Sequence, residues 1–130
     1  MNEINTEDAK RSVLIVDDTP VMRTLLRQLL KDQGFLVIGE ASNGTKALDE
    51  FRRLKPEVVC LDIEMPEMNG LDVLKTIKSE QPDTVVVMIT GDAQARSVNQ
   101  AIDAGANGYI LKPFSGVRVA EVINKALLAG

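Results

Sequence analysis

Aspartates follow two apolar runs of the chain, at the points where the runs end. Asp17 and Asp18 come directly after residues 13–16, and Asp62 comes directly after residues 58–61. Carboxylates that lie close together repel one another, which raises a pKa or destabilises the fold unless a cation separates them. Carboxylate oxygens are hard ligands of the kind that Mg²⁺ prefers. The three acids therefore indicate a divalent-cation site, provided that the fold brings them together.

A hydroxyl and an ammonium group also lie at the ends of apolar runs. Thr90 closes the run that begins at Val85, and Lys112 follows the run that begins at Tyr109. A carboxylate such as that of Asp62 can attack phosphorus as a nucleophile, and a hydroxyl and a lysine can bind phosphoryl oxygens. Each signal is weak alone, since an Asp pair after a strand is usually a turn or a helix cap. Their joint placement favours phosphoryl-transfer chemistry.

Apolar runs with the spacing of βα units must position these groups. The runs begin 22, 23, 27 and 24 residues apart, near Val13, Phe35, Val58, Val85 and Tyr109. Continuously apolar runs are typical of strands buried on both faces of a parallel sheet. Their alternation with helical segments predicts an α/β fold, a doubly wound five-stranded parallel sheet with five helices. If the first and third strands are neighbours, as in the flavodoxin-like order 2-1-3-4-5, the aspartates converge on one pocket.

Capping and breaking residues mark the boundaries of the predicted helices. The first helix should begin after Thr19 as N-cap, with Pro20 at its first position, and end before Gly34. Apolar residues at helical spacing predict the face that each helix buries. For the first helix these residues are Val21, Leu25, Leu26 and Leu29, and for the fourth they are Val98, Ala101 and Ile102.

The composition is that of one ordinary globular domain, with 130 residues of which 45% are hydrophobic and 26% charged. We expect residues 1–11 to form a flexible N-terminal tail and residues 12–130 to form the domain. The polar N-terminus lacks the apolar segment of a signal peptide, and no apolar stretch could span a bilayer, which predicts a cytoplasmic protein without membrane contact. The net charge of −4 argues against direct binding of nucleic acid.

Two residue types are rare or absent, and this excludes several kinds of chemistry. The chain has no histidine, which rules out Ser-His-Asp and Cys-His catalysis and histidine-based zinc sites. Cys60 is the single cysteine, so the chain cannot form an internal disulfide. Because Cys60 lies inside an apolar run, we expect a buried and unreactive thiol.

Four segments of the chain closely resemble the receiver domain of two-component response regulators, the CheY-like family. They are VLIVDD at 13–18, LDIEMPEMNGLDVL at 61–74, MITG at 88–91 and GANGYILKPF at 105–114. The resemblance covers about residues 12–129. It implies a phospho-accepting signalling switch with Mg²⁺ as cofactor. Such a switch is not an enzyme, since it promotes only its own phosphorylation and dephosphorylation.

The resemblance also implies roles for individual residues. Asp62 would be the phosphorylated residue, with a sensor histidine kinase or a phosphotransfer protein as the donor. Asp18 would bind Mg²⁺ directly and Asp17 largely through a water molecule. Asp62 and the main-chain carbonyl of Glu64 would complete the protein ligands. Pro66 and Gly70 match family positions in the loop after the phosphorylation site, where Gly70 opens the third helix. Pro113 matches the family's proline that follows a cis peptide bond.

A second group of matching residues would transmit the change. Thr90 would be the switch hydroxyl that moves toward the phosphoryl group, Lys112 would pair with that group, and Tyr109 would be the switch aromatic. A second interpretation of Tyr109 is a strand residue with its hydroxyl in water. The partner would be a downstream effector protein or effector domain, bound through the fourth helix, fifth strand and fifth helix. A homodimer formed on phosphorylation is a further partner that the resemblance allows.

Two alternative functions share parts of this pattern. Phosphatases of the haloacid-dehalogenase type also phosphorylate a strand-end aspartate and place an acid two residues later, as Asp62 and Glu64 do, but the chain is short for one. A flavodoxin-like carrier has the same fold class, yet its phosphate loop should be rich in Ser, Thr and Gly. Residues 17–20 read DDTP instead, and these acids would repel a phosphate. Both alternatives are the weaker hypotheses.

Overall fold

The computed structural model describes residues 10–129, which form five strands alternating with five helices. The strands are β1 (Ser12–Val16), β2 (Leu36–Ala41), β3 (Val58–Leu61), β4 (Val85–Thr90) and β5 (Gly108–Leu111). The helices are α1 (Pro20–Asp32), α2 (Gly44–Leu54), α3 (Gly70–Glu80), α4 (Ala95–Asp103) and α5 (Gly116–Ala129). Residues 1–9 of the predicted tail lie outside the described residues. Across residues 10–129, no helix combines the length and the apolar character that crossing a membrane requires.

The five strands form one parallel sheet in the order β2-β1-β3-β4-β5. Strand β1 lies between β2 and β3, with Val13 opposite Val58 and Val16 opposite Leu61. The order of the strands therefore reverses next to β1, and loops diverge from the carboxyl ends of β1 and β3 at that point. This confirms the predicted α/β class and the order 2-1-3-4-5, in which the reversal is the usual place for a ligand.

Alternate residues of each strand face opposite sides of the sheet and support two apolar cores. On one side, Val13 and Ile15 of β1 pack in a cluster with residues of α1 and α5. On the other side, Leu14 and Val16 pack in a cluster with residues of α2, α3 and α4. Burying one such aliphatic side chain contributes about 1.5–3 kcal/mol. A sheet covered on both faces therefore holds the strand ends in fixed relative positions.

Helix α1 has the predicted boundaries, but its buried face differs from the prediction. Thr19 is the N-cap, Pro20 is the first residue, and Gly34 follows the helix with a φ of +89°. Leu26 is buried at 2% exposure as predicted, whereas Val21 and Leu25 are 76% and 44% exposed. In an α-helix successive residues are about 100° apart. The stripe that faces the sheet runs through Met22, Leu26 and Leu30. Val21 and Leu25, each one residue before a member of this stripe, therefore point toward solvent.

The predicted apolar face of α4 needs a similar correction. Ala101 is fully buried and Val98 is half-buried, but Ile102 is 55% exposed. Because α4 is short and presents a small residue to the sheet, only a narrow stripe of it is covered. Helical periodicity places Ile102 next to this stripe, but it does not show how much of the helix surface the rest of the protein covers.

Candidate functional site

Three of the predicted site residues meet at the carboxyl ends of β1 and β3. Asp17 and Asp62 are buried, at 1% and 5% exposure, while Asp18 is exposed. One carboxylate oxygen from each aspartate lies within 4.8 Å of the other two. The main-chain amide of Asp62 donates to the carbonyl of Val16 at 3.1 Å, so the β1–β3 ladder continues to the site. The parallel pairing of the two strands is therefore what brings the acids together.

Lys112 supplies a positive charge beside the two buried carboxylates, those of Asp17 and Asp62. Its Nζ lies 2.8 Å from Oδ2 of Asp17 and 3.0 Å from Oδ2 of Asp62. Burial disfavours the ammonium form, but the hydrogen bonds that Lys112 donates to Asp17 and Asp62, together with the charges of these two carboxylates, outweigh it and raise the pKa of Lys112 above its ordinary value. Three carboxylates and one ammonium leave a local charge of −2. An all-oxygen donor set with this charge fits a divalent cation such as Mg²⁺.

Main-chain amides orient the two buried carboxylates. The amide of Thr19 donates to Oδ1 of Asp17 at 2.9 Å, and the amide of Glu64 donates to Oδ1 of Asp62 at 3.1 Å. Asp18 differs from these two acids because, among residues 10–129, its carboxylate has only a long contact of 3.5 Å, from the hydroxyl of Thr19. Ionised carboxylates have about four lone-pair sites each, so all three acids retain acceptor capacity for a cation.

Gly70 allows α3 to begin directly against the Asp62 loop. A Cβ atom on Gly70 would collide with the carbonyl oxygen of Asp62 and would lie 2.6 Å from Cα of Ile63. The amide of Gly70 donates to the carbonyl of Ile63 at 2.9 Å, and the side chain of Asn69 caps the helix by accepting from the amide of Leu71 at 2.7 Å. The prediction that Gly70 opens the third helix is consistent with these contacts. Only glycine permits this approach, which holds Asp62 in place.

Thr90 lies at the end of β4 but is fully buried. Its Oγ1 accepts from the amide of Asp92 at 3.3 Å, and its carbonyl accepts from the amide of Lys112 at 2.9 Å. Within residues 10–129, its hydroxyl forms no hydrogen bond with the three carboxylates. The structure therefore places Thr90 beside the acidic cluster, one residue beyond the level of Asp62 in the β3–β4 register.

Tyr109 donates a hydrogen bond from its hydroxyl to the main-chain carbonyl of Asp92, at 2.6 Å. The interpretation of its hydroxyl as pointing into water is therefore wrong. Burial, together with the charges of Asp92, Asp62 and Glu64, raises the pKa of Tyr109 to about 12. The phenol remains neutral and acts as a donor at physiological pH. Both Thr90 and Tyr109 thus contact the backbone of the same residue, Asp92.

The carboxylate of Asp92 is occupied within its own loop. Its Oδ2 accepts from the hydroxyl of Ser97 at 2.6 Å, and its Oδ1 accepts from the amide of Gln94 at 3.0 Å. Both hydrogen bonds lower the pKa of Asp92, and the bond from Ser97 has the larger effect. The acid therefore stays ionised and ties the β4–α4 loop to the first turn of α4.

An open cleft of about 590 Å³ adjoins the acidic cluster. Asp62, Asp18 and Lys112 line it together with the loop residues Thr19, Glu64, Met65 and Gly91. Asp17 and Thr90 are not part of the lining. Pro66 and Pro113 are exposed in the neighbouring loops, and the peptide bond between Lys112 and Pro113 is cis. A small anion could enter this cleft and reach Asp62 and Lys112.

Arg23 is a site residue that sequence reasoning missed. Its Nη1 donates to the main-chain carbonyl of Asp17 at 2.7 Å, and its Nε lies 3.2 Å from Oε1 of Glu40. Side chains of a helix lean toward its N-terminus. An arginine at the fourth position of a helix that begins beside an acid pair can therefore reach back to that pair, which is the signal that could have identified it.

A flavodoxin-like sheet whose switch point carries a cluster of acids and one lysine defines the class of CheY-like phospho-accepting domains. The comparisons agree: a family model described as the response regulator receiver domain matches residues 13–124. The chemotaxis protein CheY of Thermotoga maritima is 43% identical over 115 residues, which cover 88% of this chain and 96% of that relative. The chain belongs to the receiver domain family of two-component response regulators.

Solved structures give the same assignment. A DNA-binding response regulator of the LuxR family from Staphylococcus aureus is 32% identical, with a TM-score of 0.85 over 90% of this chain and 98% of that one. The complex of CheX with CheY, BeF3 and Mg²⁺ from Borrelia burgdorferi contains a chain 29% identical, with a TM-score of 0.87 over 94% of this chain and 93% of that one. These comparisons support neither the phosphatase nor the flavodoxin-like alternative. The acidic cluster fits the phospho-acceptor site of a signalling switch.

Proposed function

We propose that Asp62 accepts a phosphoryl group and that the resulting acyl phosphate switches the binding of a partner. One observation carries the choice of Asp62. Among the three acids, it is the one that both lines the cleft and contacts the ammonium of Lys112. Asp17 contacts Lys112 but is not part of the cleft lining, and Asp18 lines the cleft without contacting Lys112.

The transfer would be an in-line displacement at phosphorus. A carboxylate oxygen of Asp62 would form the new bond to phosphorus while the bond from phosphorus to the donor's histidine nitrogen breaks, and that nitrogen would keep the electron pair. Lys112, already 3.0 Å from Oδ2 of Asp62, would then bind a phosphoryl oxygen as a point charge. Asp17 and Asp18, with Asp62 and the carbonyl of Glu64, would hold Mg²⁺. The ion would offset the negative charge of the incoming phosphoryl group.

Signal output would begin with Thr90 and Tyr109. If the hydroxyl of Thr90 moves toward the phosphoryl oxygens, it leaves the amide of Asp92. Tyr109 contacts the carbonyl of that residue, and Ser97 connects its side chain to α4. Phosphorylation would therefore change the surface formed by α4, β5 and α5, by shifting a two-state equilibrium. An effector protein or effector domain would bind there, and a homodimer formed on phosphorylation would be a second form of output.

The donor and the setting follow from the proposed role. A sensor histidine kinase or a phosphotransfer protein would supply the phosphoryl group, and the receiver would itself promote only its own phosphorylation and dephosphorylation. We place the domain at residues 12–130 and its action in the cytoplasm, where such kinases present their phosphohistidine.

Acetyl phosphate with Mg²⁺ tests the proposal, with intact-mass spectrometry as the measurement. We expect the wild-type protein to gain one phosphoryl group and Asp62→Asn to gain none, because the amide cannot form the acyl phosphate. Asp103→Asn, which removes an exposed carboxylate at the end of α4, is the matched control and should behave as the wild type. Equal phosphorylation of the wild type and Asp62→Asn would refute the assignment of Asp62.

A further inference from the structure

Arg23 connects the body of α1 to the main chain that carries the acid pair. Its guanidinium donates to the carbonyl of Asp17 at 2.7 Å and contacts Glu40 of β2 at 3.2 Å. Arg27, one turn further along α1, contacts the other carboxylate oxygen of Glu40 at 2.7 Å. The side chain of Arg23 is 18% exposed and that of Glu40 is 29% exposed. The ion pair between Arg23 and Glu40 is therefore more buried than an ordinary surface ion pair, which contributes little to stability.

Hydrogen bonds hold both main-chain polar groups of Asp17. The amide of Asp17 donates to the carbonyl of Ala41 at 3.1 Å, and the carbonyl of Asp17 accepts from Arg23. A peptide group is planar, so the orientation of the Asp17 carbonyl also sets the direction of the N–Cα bond of Asp18. Arg23 thus acts on the backbone from which the Asp18 side chain projects.

Asp18 depends on this backbone more than its neighbours do. The carboxylates of Asp17 and Asp62 are each held by a main-chain amide and by Lys112. The carboxylate of Asp18 is exposed and, within the described part of the chain, has one hydrogen-bond contact, of 3.5 Å. Since its own hydrogen bonds do not fix it, its position is set by the main chain that Arg23 restrains.

We propose that Arg23 is a positioning residue for the cation site. It would orient the peptide group between Asp17 and Asp18 so that the Asp18 carboxylate stays beside those of Asp17 and Asp62. Glu40 would in turn orient the guanidinium of Arg23. This inference rests on the proposed role of the acidic cluster as a Mg²⁺ site.

The charge of Arg23 provides a clear test, because charge and position act in opposite directions. A positive charge near a cation site repels the cation, so an arginine that acted by charge alone would weaken Mg²⁺ binding, and its removal would strengthen it. An arginine that acts by positioning strengthens binding, and its removal weakens it. The direction of the change in Mg²⁺ affinity therefore separates the two effects.

The experiment is isothermal titration calorimetry with Mg²⁺ alone, without a phosphoryl donor. Arg23→Lys keeps the charge but lacks the planar fork that donates in two directions. We expect it to bind Mg²⁺ about tenfold more weakly than the wild type, as is usual when an outer contact of a metal site is lost. Arg23→Gln should also bind more weakly. Arg27→Gln removes an equal charge from the same glutamate without touching Asp17, so its affinity should stay within about twofold of the wild type.

A second variant and a second measurement guard against a general loss of structure. Glu40→Gln leaves Arg23 in place but releases its guanidinium, and it should weaken Mg²⁺ binding in the same direction. The backbone amide resonance of Asp18 should shift in Arg23→Lys and in Glu40→Gln, while amide resonances of the C-terminal turn of α3, far from the acidic cluster, should not.

Two results would refute the positioning role. Mg²⁺ affinity equal to that of the wild type in folded Arg23→Lys would show that the contact with Asp17 has no effect. Tighter binding by Arg23→Gln would show that the charge dominates. Failure of the wild type itself to bind Mg²⁺ would instead refute the proposed cation site, so the two failures are distinguishable.

Discussion

Replacing Lys112 by methionine should destabilise the protein through the two carboxylates left behind. Lys112 contacts Asp17 at 2.8 Å and Asp62 at 3.0 Å, and the side chains of the two acids are 1% and 7% exposed. Removing one partner from a buried pair costs about 3–5 kcal/mol. The side chain of Lys112 is itself 21% exposed, so water replaces part of the interaction. We therefore expect Lys112→Met to lower the free energy of unfolding by about 3 kcal/mol, the lower end of that range.

Urea unfolding at pH 7 followed by circular dichroism measures this loss, first in the presence of a chelator. The matched control is Lys75→Met, which removes an exposed lysine of α3 and should change the free energy of unfolding by less than about 0.5 kcal/mol. Adding Mg²⁺ should stabilise the variant more than the wild type. Without Lys112 the cluster has a charge of −3 instead of −2, so it attracts the cation more strongly.

The dependence on pH follows from the raised pKa of Lys112. A lysine whose pKa is higher in the folded state stabilises the fold fully below its unfolded value of about 10.4. This contribution is lost as the pH rises through the folded value. The difference between the wild type and Lys112→Met should therefore be constant from about pH 7 to pH 9 and shrink above about pH 10.4. A difference below about 1 kcal/mol at pH 7, or equal Mg²⁺ stabilisation in both proteins, would refute the reasoning.

Two further predictions concern packing at the site and in the core. Gly70→Ala should lower the free energy of unfolding by about 1–3 kcal/mol, as overpacking does, because its Cβ would collide with the backbone of Asp62. Gly91→Ala is the control, since a Cβ there would meet no atom of residues 10–129 within 4 Å. Equal free energies of unfolding for the two variants in urea would contradict the close approach at Gly70. Cys60 is buried, and burial raises the pKa of its thiol to about 12. A thiol reagent at pH 8 should therefore modify Cys60 only after unfolding, and rapid modification of the native protein would show that the thiol is accessible.

Much of the site was predictable because strand ends are visible in a sequence. Asp17, Asp62 and Thr90 each stand where a continuously apolar run stops, and in a parallel sheet such ends share one edge. The segments around Asp62 and Lys112 were also specific enough to indicate the family, which the comparisons confirm. These features are local, so neither required knowledge of distant contacts.

Other features depended on contacts between distant parts of the chain. Tyr109 directs its hydroxyl to the carbonyl of Asp92, and Arg23 reaches the carbonyl of Asp17 while contacting Glu40 of β2. Helical periodicity assigned Ile102 to a buried face that its neighbours do not cover. In each case the partner comes from another element, and its position follows from packing rather than from local sequence.

By itself, the sequence determined the alternation of strands and helices and the ends at which Asp17, Asp62 and Lys112 stand. Hydrophobic periodicity and helix caps act over a few residues, so they can be read without a structure. The tertiary structure confirmed the expected position of β1 between β2 and β3, and it alone decided that Lys112, 95 residues from Asp17, comes within 2.8 Å of it. Strand order results from burying both faces of one sheet at once. That global requirement turns an acid pair, an aspartate from another strand and a lysine into one site.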